Sequence, residues 1–253
     1  MSGLKSNKEW KQWGKEDPLF GVASWPGRDK NGASPWTEAD FYALGQSDWE
    51  DFEKHWGQYG RNRASCLEIG CGAGRITRQL SAAFDRVYAV DVSEEMICVA
   101  RQGVGPNVEF SLVDGQLLPY PNGSTTGIFS THVLQHLDSF ELGVTYFREF
   151  FRVLAAGGTL MVHLPLYQFP GGPLRQVMQT MDSVSRAIAQ ARADWYRKIG
   201  KKTMRTTPYP MDRLTESLTA IGFRNIELRV FETKSNRSPH AFVFATKVGP
   251  TPP

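Results

Sequence analysis

Cys66-Leu67-Glu68-Ile69-Gly70-Cys71-Gly72-Ala73-Gly74 is the stretch that decides the fold. A short apolar run containing one acid passes into three glycines at alternate positions. Such a run, bounded by glycine, reads as a buried strand. The glycines let backbone N–H groups approach a nucleoside-bearing ligand near the start of the following helix. The dinucleotide fingerprint is excluded, because its third glycine falls three residues after the second. Here the interval is two, and Arg75 stands where the dinucleotide glycine would be.

On either side of this loop, strand and helix patterns alternate through residues 63–165. CLEIG (66–70), VYAVDV (87–92), VEFSLVD (108–114), GIFSTH (127–132) and TLMVHL (159–164) read as five strands. Ser93-Glu94-Glu95-Met96 caps a helix with acids in its first turn. A helix over 139–154 sets Leu142, Tyr146, Phe147, Phe150, Phe151 and Leu154 on one stripe, and Ala155-Ala156-Gly157-Gly158 ends it. Apolar strands alternating with helices predict a parallel sheet covered on both faces. Residues 210–253 add a helix closed by Gly222, then ELRVFE (227–232) and AFVFATK (241–247), whose short connection favours an antiparallel pair. The expected fold is α/β: a seven-stranded, mostly parallel sheet with its last strand antiparallel and helices on both faces. N-terminal and post-strand-five lid segments complete it.

Two segments fall outside that alternation. Residues 1–62 hold six of the seven tryptophans and read as an aromatic cap packed on the core, since disorder is poor in aromatics. Gly21–Pro35 reads as loop, and Thr37-Glu38-Ala39-Asp40 as a capping box opening a short helix. Residues 166–209 form a helical insert. A long helix over 173–199 carries the stripe Val177, Met181, Val184, Ile188, Ala191 and Trp195, a core face or the contact of a homodimer. The basic run from Arg197 to Arg205 reads as a solvated helix end. Residues 63–165 are then the ligand-binding core and 210–253 its completion.

Bulk properties narrow the function classes. A net charge of +3 on 253 residues makes no case for a nucleic-acid partner. Neither a leader's apolar core at the N-terminus nor a run of membrane-spanning length is seen, so a cytoplasmic protein is expected. Cys66, Cys71 and Cys98 are odd in number and lack metal-ligand spacing, which suits reduced thiols and no metal.

With five landmarks in order, residues 63–165 resemble the class I S-adenosylmethionine-dependent methyltransferases of small-molecule type. These are the loop Glu68-Ile69-Gly70-Cys71-Gly72-Ala73-Gly74, Asp91 in VYAVDVSEEM, Asp114 before Gly115 and the LPYP turn, STHVLQHL, and REFFRVLAAGGTLMV. The resemblance implies that S-adenosyl-L-methionine is bound beyond the carboxyl ends of the strands. Asp91, with Val92 beside it, would take the ribose hydroxyls. Asp114 and Gly115 would take the adenine, and Glu68 would help hold the methionine end. Gly70, Cys71, Gly72 and Gly74 would line the loop, and Thr131 would follow strand four. Asp91 as a helix cap, Asp114 as a turn acid and Glu68 as a loop brace are the structural alternatives. Arg75 reads either as a partner for a carboxylate or as a surface arginine.

Methyl transfer needs a base only when the acceptor must lose a proton. His132, His136 and His163 are the candidates, each with a packed-histidine alternative, and Gln135 can only orient. Trp13, Phe20, Trp25 and Trp36 either wall an acceptor pocket or anchor the N-terminal segment. The expected activity is methyl transfer to the oxygen, nitrogen or carbon of a small molecule. A cofactor-binding relative without transfer and an RNA or protein methyltransferase are the alternatives.

Overall fold

The computed structural model describes residues 4–115, 117–167, 206–232 and 238–249, with Ala191, Trp195 and Met204 besides. Three helices come first: α1 (Lys5–Glu16), α2 (Pro18–Val22) and α3 (Glu38–Tyr59). The central alternation is β1 (Cys66–Ile69), α4 (Thr77–Ala83), β2 (Val87–Asp91), α5 (Glu94–Ala100), β3 (Val108–Leu112) and β4 (Thr125–Ser130). A 3-10 turn (Leu134–His136), α6 (Phe140–Val153) and β5 (Leu154–Tyr167) follow. The chain closes with β6 (Tyr209–Pro210), α7 (Met211–Ile221), β7 (Arg224–Glu232) and β8 (Pro239–Thr246).

The strands lie in the order β3-β2-β1-β4-β5-β8-β7, with β6 as a two-residue addition beside β5. β1 to β5 pair in parallel, and β8 runs antiparallel between β5 and β7. The seven-stranded sheet with one antiparallel strand is therefore present. Among the described residues, no helix is long and apolar enough to cross a membrane.

Alternation along the central strands sends neighbouring residues to opposite faces. Ile128, Leu160 and Val243 join Phe147 and Phe150 of α6 and Leu214 and Leu218 of α7. Phe129, Met161 and Phe244 join Trp49, Phe52 and Trp56 of α3. Trp56 is fully buried, and its indole N–H donates to Thr159 Oγ1 at 2.9 Å. Gly127 makes room for it: a Cβ there would lie 3.2 Å from the indole ring.

Two local expectations change. Thr37 does cap a helix, accepting from the Asp40 N–H at 3.1 Å, but that helix is α3, long rather than short. Its burial against the sheet sustains it well past the cap. Residues 155–158 do not separate helix from strand. Leu154 already pairs with Thr125, so these four residues form an irregularity inside β5 before Thr159 pairs with Gly127. The helix expected over 173–199 lies outside the described residues, except for Ala191 and Trp195, both helical. Trp195, expected on a core face or a homodimer contact, is exposed. The basic run 197–205 lies outside them except for Met204.

Candidate functional site

β1, β2 and β4 end side by side, and one pocket opens beyond their carboxyl ends. Of the residues expected to hold a cofactor, Glu68, Gly70, Cys71, Gly72, Asp91, Val92 and Thr131 line it. Gly74, Asp114 and Gly115 do not. Gly74 sits behind the loop with φ 80°, where a Cβ would lie 2.9 Å from the Ala100 Cα. Its role here is close packing of the loop against α5. Gly72 has φ 51°, and a Cβ there would come within 2.6 Å of Val22 on α2. The loop glycines therefore admit other parts of this chain, where the sequence suggested only ligand approach. Asp114 is exposed at the rim, and its backbone carbonyl accepts from Asn7 Nδ2 of α1.

Two buried carboxylates face the pocket. Asp91 accepts from the Gly72 N–H at 2.8 Å with one oxygen and from the Ser93 N–H at 2.9 Å with the other. It ties the glycine loop to the β2–α5 turn, while Ser93 itself caps α5 through the Met96 N–H. Burial raises the Asp91 pKa, and the backbone donors pull against that rise. Glu68 accepts from Thr77 Oγ1 at 2.7 Å. Burial, aided by the charge of Asp91, pushes its pKa up to about 7 against the pull of Thr77 and Arg75.

Arg75 is not a surface arginine. It is buried, lines the pocket and pairs with Asp48 of α3, while its Nε has no hydrogen-bond partner. Thr131 Oγ1 and Ser6 Oγ are buried and unpartnered as well. Three polar groups left unsatisfied in residues that line the pocket, Arg75 and Thr131 on one side and Ser6 on the other, suit a polar ligand, because orphaned buried groups cost free energy.

The far wall comes from α1, which supplies Ser6, Asn7 and Trp10. Asp138 anchors that helix, accepting from the Lys5 N–H at 2.9 Å and the Ser6 N–H at 3.1 Å. An anion at a helix N-terminus satisfies free donors and complements the dipole. Trp13, Phe20, Trp25 and Trp36 do not line the pocket. Trp13 is buried beside Met96 and Phe41, Trp25 is exposed, and Trp36 lies under the Arg28 guanidinium. The aromatic segment thus divides: α3 packs in the core, and α1 with α2 lies over the pocket.

His132 and His136 line the pocket, and His163 stands behind it. His132 holds φ 58°, a strained value for a non-glycine residue. His132 is exposed and lines the pocket, and the dense protein around its ring, with the charges of Arg75, His136 and His240, holds its pKa below that of a free imidazole. The His136 ring meets Trp10 edge-on at 5.1 Å between centroids and contacts Gln135 Nε2 at 2.9 Å. His163 is buried among Phe231, Phe242 and His240, which keeps it neutral. Ser6, Asn7 and His240 carry no local sequence signal, and Trp10 and Tyr146, which line the pocket, were legible only as parts of the aromatic cap and the α6 stripe. Asp138 does, as an acid just before the cap of α6.

Residues 67–162 match a family described as a methyltransferase domain. Ajmaline N-methyltransferase of Rauvolfia serpentina is 24% identical over 152 residues, 58% of this chain and 51% of that protein. The chain thus spans about half the length of that relative. A phosphoethanolamine N-methyltransferase of Haemonchus contortus, solved with phosphomonomethylethanolamine and S-adenosylhomocysteine, superimposes with TM-score 0.58 at 16% identity, over 79% of this chain and 53% of that one. The 4+2 cyclase SpnF superimposes with TM-score 0.61 at 19% identity, over 98% of this chain and all of that one.

Proposed function

We propose that the chain, whose residues 67–162 match a methyltransferase domain, transfers a methyl group from S-adenosylmethionine to the nitrogen of a small-molecule acceptor. The observation that carries the reading is the pocket wall itself. Two buried carboxylates, Glu68 and Asp91, and three unpartnered polar groups, on Arg75, Thr131 and Ser6, converge beyond the strand ends. Asp91 is set to accept from ribose hydroxyls, each of its oxygens keeping acceptor capacity beyond one backbone bond. The Arg75 Nε suits the carboxylate of the methionine end, with Glu68 near it. Val92, Gly70, Cys71 and Gly72 complete the cradle, and Asp114 and Gly115 border it on the side of Asn7.

When bound, the cofactor supplies a methyl group already activated on a sulfonium. The protein's task is to orient an acceptor, exclude water and take one proton. Trp10 and α1 close the pocket from solvent. His132, exposed on the pocket side and neutral, has a lone pair for the proton of a protonated or N–H acceptor. His136 is held between Trp10 and Gln135, which suits orientation. Nitrogen is favoured over oxygen or carbon because two of the named relatives act on nitrogen.

Release of S-adenosylhomocysteine, measured with S-adenosylmethionine and a panel of small amines, phenols and carbon acids, tests this. Turnover confined to amines is the expected result. Tight cofactor binding with no release across the panel would instead favour a non-transferring role, consistent with the cyclase that matches the whole chain in fold.

A further inference from the structure

β7 ends the sheet. It pairs with β8 on one side, and among the described residues no strand borders its other side. β3, at the opposite end, is five residues long, whereas β7 is nine. The free N–H and C=O groups of an edge invite another strand, and monomers blunt them with short strands, proline or lysine. β7 is long and has neither residue, and its Val230 is 49% exposed.

Cross-strand neighbours share a face, so the register with β8 sorts the side chains. Glu227, Arg229 and Phe231 lie toward α3: Arg229 meets His55 of that helix, and Phe231 packs on the cluster around Trp56. Leu228 lies on the other face, against the cluster that α6 and α7 share, and Val230 follows it. A bulge between Arg224 and Glu227, with Asn225 at φ 51°, bounds the regular stretch. That stretch opens acid, apolar, base, apolar: Glu227, Leu228, Arg229, Val230.

The order is complementary to itself under a two-fold axis. A copy paired antiparallel about Leu228 sets Glu227 opposite the copy's Arg229, and Arg229 opposite the copy's Glu227. Leu228 then meets Leu228 on the other face, with Val230 opposite Ile226. Moving the axis one residue either way sets Glu227 against Glu227 or Arg229 against Arg229. Opposite charges facing each other stabilise a strand pair, and like charges destabilise it, so the axis at Leu228 is selected. An edge designed only to repel would carry one sign. β7 carries both, at positions the axis interchanges.

We propose that β7 is the contact of a homodimer, two copies joining antiparallel about Leu228 so that one sheet continues into the other. A two-fold contact requires a surface that fits itself, which this edge provides. Arg229 can keep His55 while it pairs across the axis, because a guanidinium has five donors. The stripe from Val177 to Trp195 is a different surface, so substitutions on β7 separate the two.

Sedimentation equilibrium of the full chain over about 1–100 µM reads the association. A monomer–dimer equilibrium is expected. Glu227→Arg and Arg229→Glu each set like charges opposite one another and should weaken the dimer about tenfold. The two variants are complementary to each other, so their equimolar mixture should return to within about threefold of the unmodified Kd. A chain that stays monomeric over the whole range overturns the proposal, as does a dimer that Glu227→Arg leaves intact. Hydrogen exchange of the unmodified chain supplies a second arm that needs no variant. Protection of the peptide spanning 224–232 should rise with concentration, and protection that rises only elsewhere overturns the proposal.

Discussion

Glu68 makes a quantitative test of the pocket's electrostatics. In the unfolded chain its carboxyl titrates near the usual 4.5, and in the folded protein at about 7. Between those values the folded state holds a proton that the unfolded state has released. Stability is therefore greatest below the lower value, falls as pH rises through the interval and levels off above it. One pH unit corresponds to about 1.4 kcal/mol, so the interval accumulates roughly 3 kcal/mol. The group is 3% exposed, so solvent screening takes little from that figure. Glu68→Gln cannot ionise, and its amide oxygen can still accept from Thr77. The stability of the variant minus that of the unmodified protein should rise by roughly 3 kcal/mol between pH 4.5 and 7.5, or about 6–12 °C in Tm for a chain of this size. Paired urea and thermal melts at four pH values measure it, and contributions from groups not coupled to Glu68 cancel in the difference. A difference flat with pH refutes the assignment of a raised Glu68. One that grows toward low pH refutes its sign.

Three further outcomes follow from the same pocket. Asp91→Ala removes two backbone acceptors and the expected ribose acceptor. S-adenosylmethionine affinity should fall by on the order of a hundredfold, about 3 kcal/mol by calorimetry, and an unchanged Kd rejects the ribose role. Thr131→Val deletes a buried hydroxyl that has no partner within the protein. Melts should show stability held or slightly raised while cofactor affinity drops about fivefold, and parallel loss of both would reveal a purely structural hydroxyl. Asp138→Ala releases the N-terminus of α1 at a cost of about 1–2 kcal/mol locally. Cofactor dissociation in stopped flow should accelerate about tenfold, and an unchanged rate would mean that α1 does not hold the pocket shut.

The parts legible in sequence are those written in short windows. The strand before the glycines, the acid at the end of β2 and the Ser93 cap are local patterns, and each sits in the structure as its pattern predicts. The short connection between β7 and β8 also predicted the antiparallel pair. What a local pattern left open was the partner of each residue. Gly72 and Gly74 were legible as backbone requirements, yet one faces Val22 and the other Ala100. Arg75, beside the same loop, looked as much like a surface side chain as a pocket one. It is buried because α3 brings Asp48 to it across a gap in sequence that no motif spans.

The same limit explains why residues 1–62 were legible as a cap while the pocket role of α1 was not, and why His240 escaped notice. α1 has no motif. Its pocket role comes from Asp138, which lies 133 residues from Lys5 and captures its N-terminus. His240 has ordinary strand surroundings, and what distinguishes it is the register Pro165↔His240 across an antiparallel pair. That register follows from β8 entering between two strands that run the other way, a choice made by the whole sheet. Shifting β8 by one residue against β5 would send His240 to the opposite face and leave His163 Nε2 without its partner.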